Sequence, residues 1–239
     1  QCLKSKPMSY YFSPSGNEHH QQKKTGVLLT NLGTPNAPTP KALKTYLAEF
    51  LADPRVIEMP RLLWLLLLHL VILRIRPAKS AKLYQSIWTD DGSPMRVISE
   101  RQKIKVQQHM TELYGDNVIV DIAMRYGDPA IAQALKKFQQ SGVNKIVVLP
   151  LYPQYSGPTT GSTFDAVYKE IKTWRWVPSV HFISGYHDRK PYVNALSNSV
   201  QQHIDNHGKP DKLVLSYHGM PQSYFDKGDP YYTFCQQTT

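Results

Sequence analysis

From residue 26 onward, short β-branched runs alternate with longer amphipathic stretches along the chain. That alternation is the pattern of parallel strands joined by crossover helices, the α/β class. It predicts strands at 27–31, 118–124, 145–149, 180–184 and 212–216, each closed by polar, Gly or Pro residues, and helices at 40–50, 100–114, 129–141, 163–173 and 191–206. Pro129 and Pro191 suit a first helical turn, Asp128 can accept orphan amide protons, and Gly142 supplies a C-cap. Open α/β sheets bind ligands beyond the carboxyl ends of their strands, so the segments after these runs are where chemistry is to be sought.

One stretch breaks the alternation. Residues 62–73, LLWLLLLHLVIL, are apolar on every helical side and stand between Arg61 and Arg74. Twelve residues are too few to span a bilayer, which takes about twenty. Two readings remain, a buried helix and a surface segment that dips into one leaflet while Arg61, Arg74 and Arg76 meet acidic headgroups. Leucines on all faces favour the second, because a surface helix normally shows a polar side.

Four post-strand segments are rich in Gly, Pro, hydroxyl or aromatic residues: NLGTP at 31–35, MRYGDP at 124–129, PLYPQYSGPTTGS at 150–162 and SYHGMP at 216–221. The loop at 156–162 could offer backbone amides to an anion, but it lacks a Walker lysine and dinucleotide-fingerprint spacing. His218 is the most informative single residue, lying two positions beyond a predicted strand and followed by Gly219. A neutral imidazole there can bind a transition metal or accept a proton; it can equally cap a loop. The other histidines lack this setting, His19, His20 and His207 falling in tail or loop and His69 in the leucine run.

Bulk properties narrow the partners. A net charge of +10 attracts nucleic acid, acidic lipid or a carboxylate-bearing substrate. Nucleic acid is the weakest of these, since no zinc-ligand array, arginine-rich run or RNP-like aromatic pattern is visible. Cys2 and Cys235 are the only cysteines, which argues against a disulfide framework, fits a reducing cytoplasm and leaves no set of thiols for an iron–sulfur cluster. Residues 1–24 show no apolar period or secretory h-region and read as a flexible extension.

YPQYSGPTTGS at 152–162 and SYHGMPQSYFDKGDPYY at 216–232 together resemble the paired motifs of the ferrochelatase family, and NLGTP, YQSIWTDDGSP at 84–94 and MRYGDP extend the similarity from Gly26 to about Cys235. The resemblance implies two similar Rossmann-like, chelatase-type domains with parallel sheets: a first at 25–187 that includes an apolar lip at 61–76, and a second that starts at 188–239. It implies an enzyme that inserts Fe2+ into protoporphyrin IX, the terminal step of haem biosynthesis. Iron is then a substrate, with no tightly bound cofactor, and the enzyme is cytoplasmic and peripherally attached to the inner membrane surface. On the same carry-over His218 is the metal-site and catalytic histidine, as ligand or as base. Leu32 touches the macrocycle, Arg125 and Tyr126 line the metal side, and Arg76, Tyr84 and Ser93 contact porphyrin, Arg76 by pairing with a propionate. Tyr155, Ser156 and Thr160 follow as further substrate-binding positions, although hydroxyl-rich loops often satisfy only their own backbone.

The chain stops at Thr239, shortly after the Gly-Asp-Pro-Tyr motif, where family members continue. The second domain is therefore expected to be incomplete and to lack the acidic residue that faces the histidine; Asp226 and Asp229 match the motif and its flank and do not inherit that role. The 239 residues alone are expected to be inactive and poorly soluble, with apolar surface left unpaired. A non-catalytic tetrapyrrole or metal carrier and a chelatase for another metal are the competing readings, because one histidine does not select iron.

Overall fold

The structure, a computed structural model, describes Tyr11 and residues 24–239. The expected N-terminal extension and Cys2 therefore lie outside the described residues, apart from Tyr11 and Lys24. The elements run β1 (Lys24–Gly33), α1 (Pro40–Leu51), α2 (Arg61–Leu67), a π-helical stretch (Leu68–Ile72), α3 (Leu73–Ile87), α4 (Pro94–Tyr114), β2 (Val118–Tyr126), α5 (Ile131–Gln140), β3 (Val143–Pro150), α6 (Ser162–Ile171), β4 (Ser179–Phe182), α7 (Lys190–His207), α8 (Gln222–Asp226) and α9 (Tyr231–Thr238).

Four strands form one sheet in the order β2-β1-β3-β4, and every pairing is parallel. The chain leaves β1 for β2 on one side and then crosses to β3 on the other, so strand order reverses at β1. The crevice outside the carboxyl ends of β1 and β3 is the place where doubly wound sheets take ligands.

Apolar alternation along the strands builds both faces. Leu28, Ala123, Ile146 and Val148 face α5 and α6, packing with Phe138, Leu135, Val167 and Trp174. Leu29, Val120, Ile122 and Met124 face α4, where Val106 and Met110 close over them. Fully burying an aliphatic or aromatic side chain is worth about 1.5–3 kcal/mol, so these two layers carry most of the driving force.

The leucine run proves two-sided. Trp64, Leu68 and Leu73 pack on Leu51 and the flank of α1, and the Trp64 indole N–H donates to the Leu51 carbonyl at 2.7 Å. Leu62, Leu63, Leu66, Leu67, Leu70 and Val71 stay exposed, Leu62 to 77 %. The segment thus has one buried face and one exposed apolar face. Helical backbone continues through α3 despite Pro77, which cannot donate to the Leu73 carbonyl, and the π-helical stretch lies just upstream of that gap.

Three expectations are corrected. Residues 212–216 form no strand: no strand lies beside them among the described residues to supply the ladder, and Val214 is 80 % exposed. Pro129 precedes the helix instead of opening it; Asp128–Pro129 is a cis peptide, and α5 starts at Ile131. Asp128 caps nothing, since its carboxylate accepts from Asn36 while the Gln133 side chain accepts the Ala130 amide. Gly142, by contrast, takes the left-handed conformation of a C-cap glycine, and Pro191 does lie in the first turn of α7.

Gly33 of the NLGTP segment pairs with Tyr126 at φ 110°, and a Cβ there would fall 1.9 Å from the Tyr126 carbonyl oxygen. Gly33→Ala is expected to cost more than about 2 kcal/mol of stability, read as a lowered urea-denaturation midpoint.

Candidate active site

The post-strand segments converge as the topology requires. Thr34, just past β1, donates its hydroxyl to Ser93 at 2.8 Å, and both side chains are buried. The Leu151 amide donates to the Thr30 carbonyl at 2.7 Å, holding the start of the 150–162 loop against the end of β1. Asn31 donates to Ser99 on α4 at 3.2 Å.

The centre of this region is the Asp53 carboxylate, on the loop between α1 and α2. Its Oδ2 accepts from the Ser162 hydroxyl at 2.6 Å, from the Tyr126 hydroxyl at 2.9 Å and from an Arg125 Nη2, and its Oδ1 accepts from the Arg55 amide at 2.8 Å. Arg125 Nε also donates to the Ser162 carbonyl and hydroxyl, at 2.9 and 2.6 Å. Burial works against ionisation of Asp53, but the Ser162, Arg55 and Tyr126 hydrogen bonds and the Arg125 charge outweigh it and hold the carboxyl below its usual value. Burial pushes the Tyr126 hydroxyl up, so it stays protonated and donates.

Beside this cluster Arg55 pairs with Asp165 on α6. Gly161 leaves the room, since a Cβ there would come 3.0 Å from the Arg55 guanidinium and 3.1 Å from the Tyr155 hydroxyl.

A second junction attaches residues 217–239 to the loops around the sheet. Asp229 Oδ2 accepts from the Ser156 hydroxyl at 3.0 Å and the Gly157 amide at 2.7 Å, while its Oδ1 accepts the Tyr231 amide at 3.0 Å. One carboxylate thereby joins the Ser-Gly-Pro and Gly-Asp-Pro-Tyr motifs. His187 stacks on Phe234 with ring centroids 3.9 Å apart and bonds Gln237 at 2.7 Å, and Tyr224 donates to the Val56 carbonyl at 3.0 Å.

His218 is exposed, its amide donating to the Tyr231 hydroxyl at 3.2 Å, and it lines a cavity of about 440 Å³ with Met220, Tyr224, Asp229 and Tyr231. None of the other candidate residues lines that cavity. Among the described residues no three His, Cys, Asp or Glu side chains gather as a metal site.

The remaining candidates are dispersed. Arg125 and Tyr126 meet at Asp53, with the guanidinium carbon 4.4 Å from the Tyr126 ring centre, and Tyr126 is fully buried. Ser156 is buried on Asp229, and Thr160 is buried with no hydroxyl partner among the described residues. Leu32 is half-buried, Tyr84 half-buried with its hydroxyl beside that of Tyr46, and Arg76 exposed without a polar partner among the described residues. Sequence reasoning missed Asp53 and set Asp229 aside as a motif residue without a role. Asp229 sat visibly in a motif, whereas Asp53 follows an ordinary helix and carries no local signal.

A doubly wound α/β protein with a polar crevice at the reversal of strand order is the class that fold and site define. A family model described as Ferrochelatase matches residues 24–239. Ferrochelatase 2 of Shewanella oneidensis is 56 % identical over 221 residues, 92 % of this chain and 67 % of that protein. The ferrochelatase of Shewanella denitrificans is 56 % identical over 226 residues with the same coverage, and that of Idiomarina loihiensis 52 % identical over 232 residues, 97 % of this chain and 64 % of that protein. The chain belongs to the ferrochelatase family and spans about two thirds of the length of these curated relatives.

Because the Asp53 carboxyl is held below its unfolded value of about 3.9, its contribution is present at neutral pH and lost as pH falls below about 4. Asp53→Asn is expected to lower stability at pH 7 by about 1.5–3 kcal/mol, with the gap to wild type narrowing towards pH 3 in urea titrations.

Proposed function

We propose that the natural protein carrying this chain is a ferrochelatase, which inserts Fe2+ into protoporphyrin IX to give protohaem. The observation that carries the reading is identity of 52–56 % to proteins named ferrochelatase, extending through both motif loops and His218. Metal insertion requires that two pyrrole N–H protons leave as the nitrogen lone pairs turn to the metal. The exposed His218 imidazole can take such a proton or hold the incoming ion, and its loop is fixed from beneath by Tyr231 and Asp229. Leu32, Arg76, Tyr84, Ser93, Arg125, Tyr126, Tyr155, Ser156 and Thr160 are proposed to contact or frame the porphyrin. Exposure of Arg76 leaves its guanidinium available for a propionate.

The exposed leucine face supports peripheral attachment to an anionic membrane surface from the cytoplasmic side. Leu62, Leu66 and Leu70 project beside Arg74 and Arg76, and the chain carries a net charge of +10. No described helix is long and apolar enough to cross a membrane. A protein delivering a greasy product gains from such a lip, because the porphyrin can pass between bilayer and crevice without crossing water.

His218→Ala in the natural full-length protein is expected to abolish anaerobic metalloporphyrin formation from Fe2+ and protoporphyrin, followed by visible absorbance. Undiminished turnover would move the essential group elsewhere, and porphyrin binding without turnover in the wild type would favour a carrier. Leu66→Glu combined with Leu70→Glu is expected to shift the protein from sedimenting anionic vesicles to the supernatant while leaving turnover on detergent-dispersed porphyrin intact.

A further inference from the structure

We infer that Asp53 is a positioning residue for metal insertion, acting through Arg125; the inference rests on the ferrochelatase reading and deepens it. The guanidinium is gripped on two of its three nitrogens, Nε by Ser162 and Nη2 by Asp53, and its face lies on the Tyr126 ring. The Nη1 amino group has no partner among the described residues, and the side chain keeps 17 % of its surface exposed. A fork held on one side and open on the other has a single direction in which to meet a ligand.

Asp53 is the element that sets this direction. It is the one anion on the cluster, it takes donors from the ends of β2 and the start of α6, and its side chain is only 6 % exposed. Replacing its charge would leave Arg125 with the Ser162 bonds and the Tyr126 ring face, its Nη2 end no longer fixed by an anion. Asp53 touches no substrate on this account; its effect reaches the reaction only through the guanidinium. The same loop presents Arg55 to Asp165 and leads six residues on into α2, so the wall that holds Arg125 also seats the apolar lip.

The test is a double-mutant cycle on the full-length protein, measuring kcat and KM for protoporphyrin with Fe2+ in wild type, Asp53→Asn, Arg125→Ala and the double variant, with thermal midpoints alongside. Each single variant is expected to lower kcat about tenfold or more with a smaller change in KM, and the double variant to be no slower than Arg125→Ala alone. Losses that multiply in the double variant, or full kcat in Asp53→Asn, would overturn the inference. Full kcat in Arg125→Ala beside an active wild type would remove the residue through which Asp53 acts, and a wild type without turnover would instead bring down the ferrochelatase reading itself. If Asp53→Asn does not fold, Ser162→Ala, which loosens the same grip without removing the charge, takes its place in the cycle with the same expected pattern.

Discussion

A carboxylate taken out of water must be repaid in hydrogen bonds, and Asp53 collects donors from three separate parts of the chain. Those donors stand at the end of β2, at the start of α6 and in its own loop. The requirement therefore fixes more than one side chain. It draws the loop after α1 over the carboxyl edge of the sheet, orients Arg125, and engages the Tyr126 hydroxyl, which burial keeps protonated. The sheet itself could form from apolar pairing, but the arrangement of loops above it depends on this anion.

The strands and helices were legible because each obeys a local rule. Apolar runs closed by polar, Gly or Pro residues marked β1 to β4, and Pro191 and Gly142 marked helix ends that the structure keeps. Residues 212–216 misled because an apolar Leu-Val-Leu run reports capacity to pair, while a strand needs a neighbour. Asp128 misled for a related reason: its caps-and-turns chemistry was read along the chain, and its partner Asn36 lies 92 residues away. The long α3 was not read past residue 73 because the apolar run ends there at Arg74, whereas the helix runs on through Pro77 with Leu73 and Ala81 buried.

The site divides in the same way. Motif residues such as Ser156 and Arg125 stood out by composition, but what holds each is a carboxylate, Asp229 and Asp53 in turn, whose partners lie far along the chain. Asp229 is the clearer case, for its place in Gly-Asp-Pro-Tyr explains why that motif and Ser-Gly-Pro occur together: one acidic side chain bonds both. A motif residue can thus carry the frame of a site without carrying its chemistry.

Two junctions now connect three functions in the proposed enzyme. Asp229 joins the start of α9, whose Tyr231 holds the His218 amide, to the loop after β3, and Asp53 joins Arg125 to the loop that enters the lip. Neither junction is apolar, and the reason is geometric: hydrophobic contacts tolerate sliding, while short bonds to a carboxylate fix both distance and angle. A reaction in which a metal must approach one face of a planar ring needs its flanking groups held to a fraction of an ångström. Placing the directional bonds at the crevice and the greasy contacts in the sheet and lip gives rigidity where the chemistry would occur and tolerance where the membrane would be met.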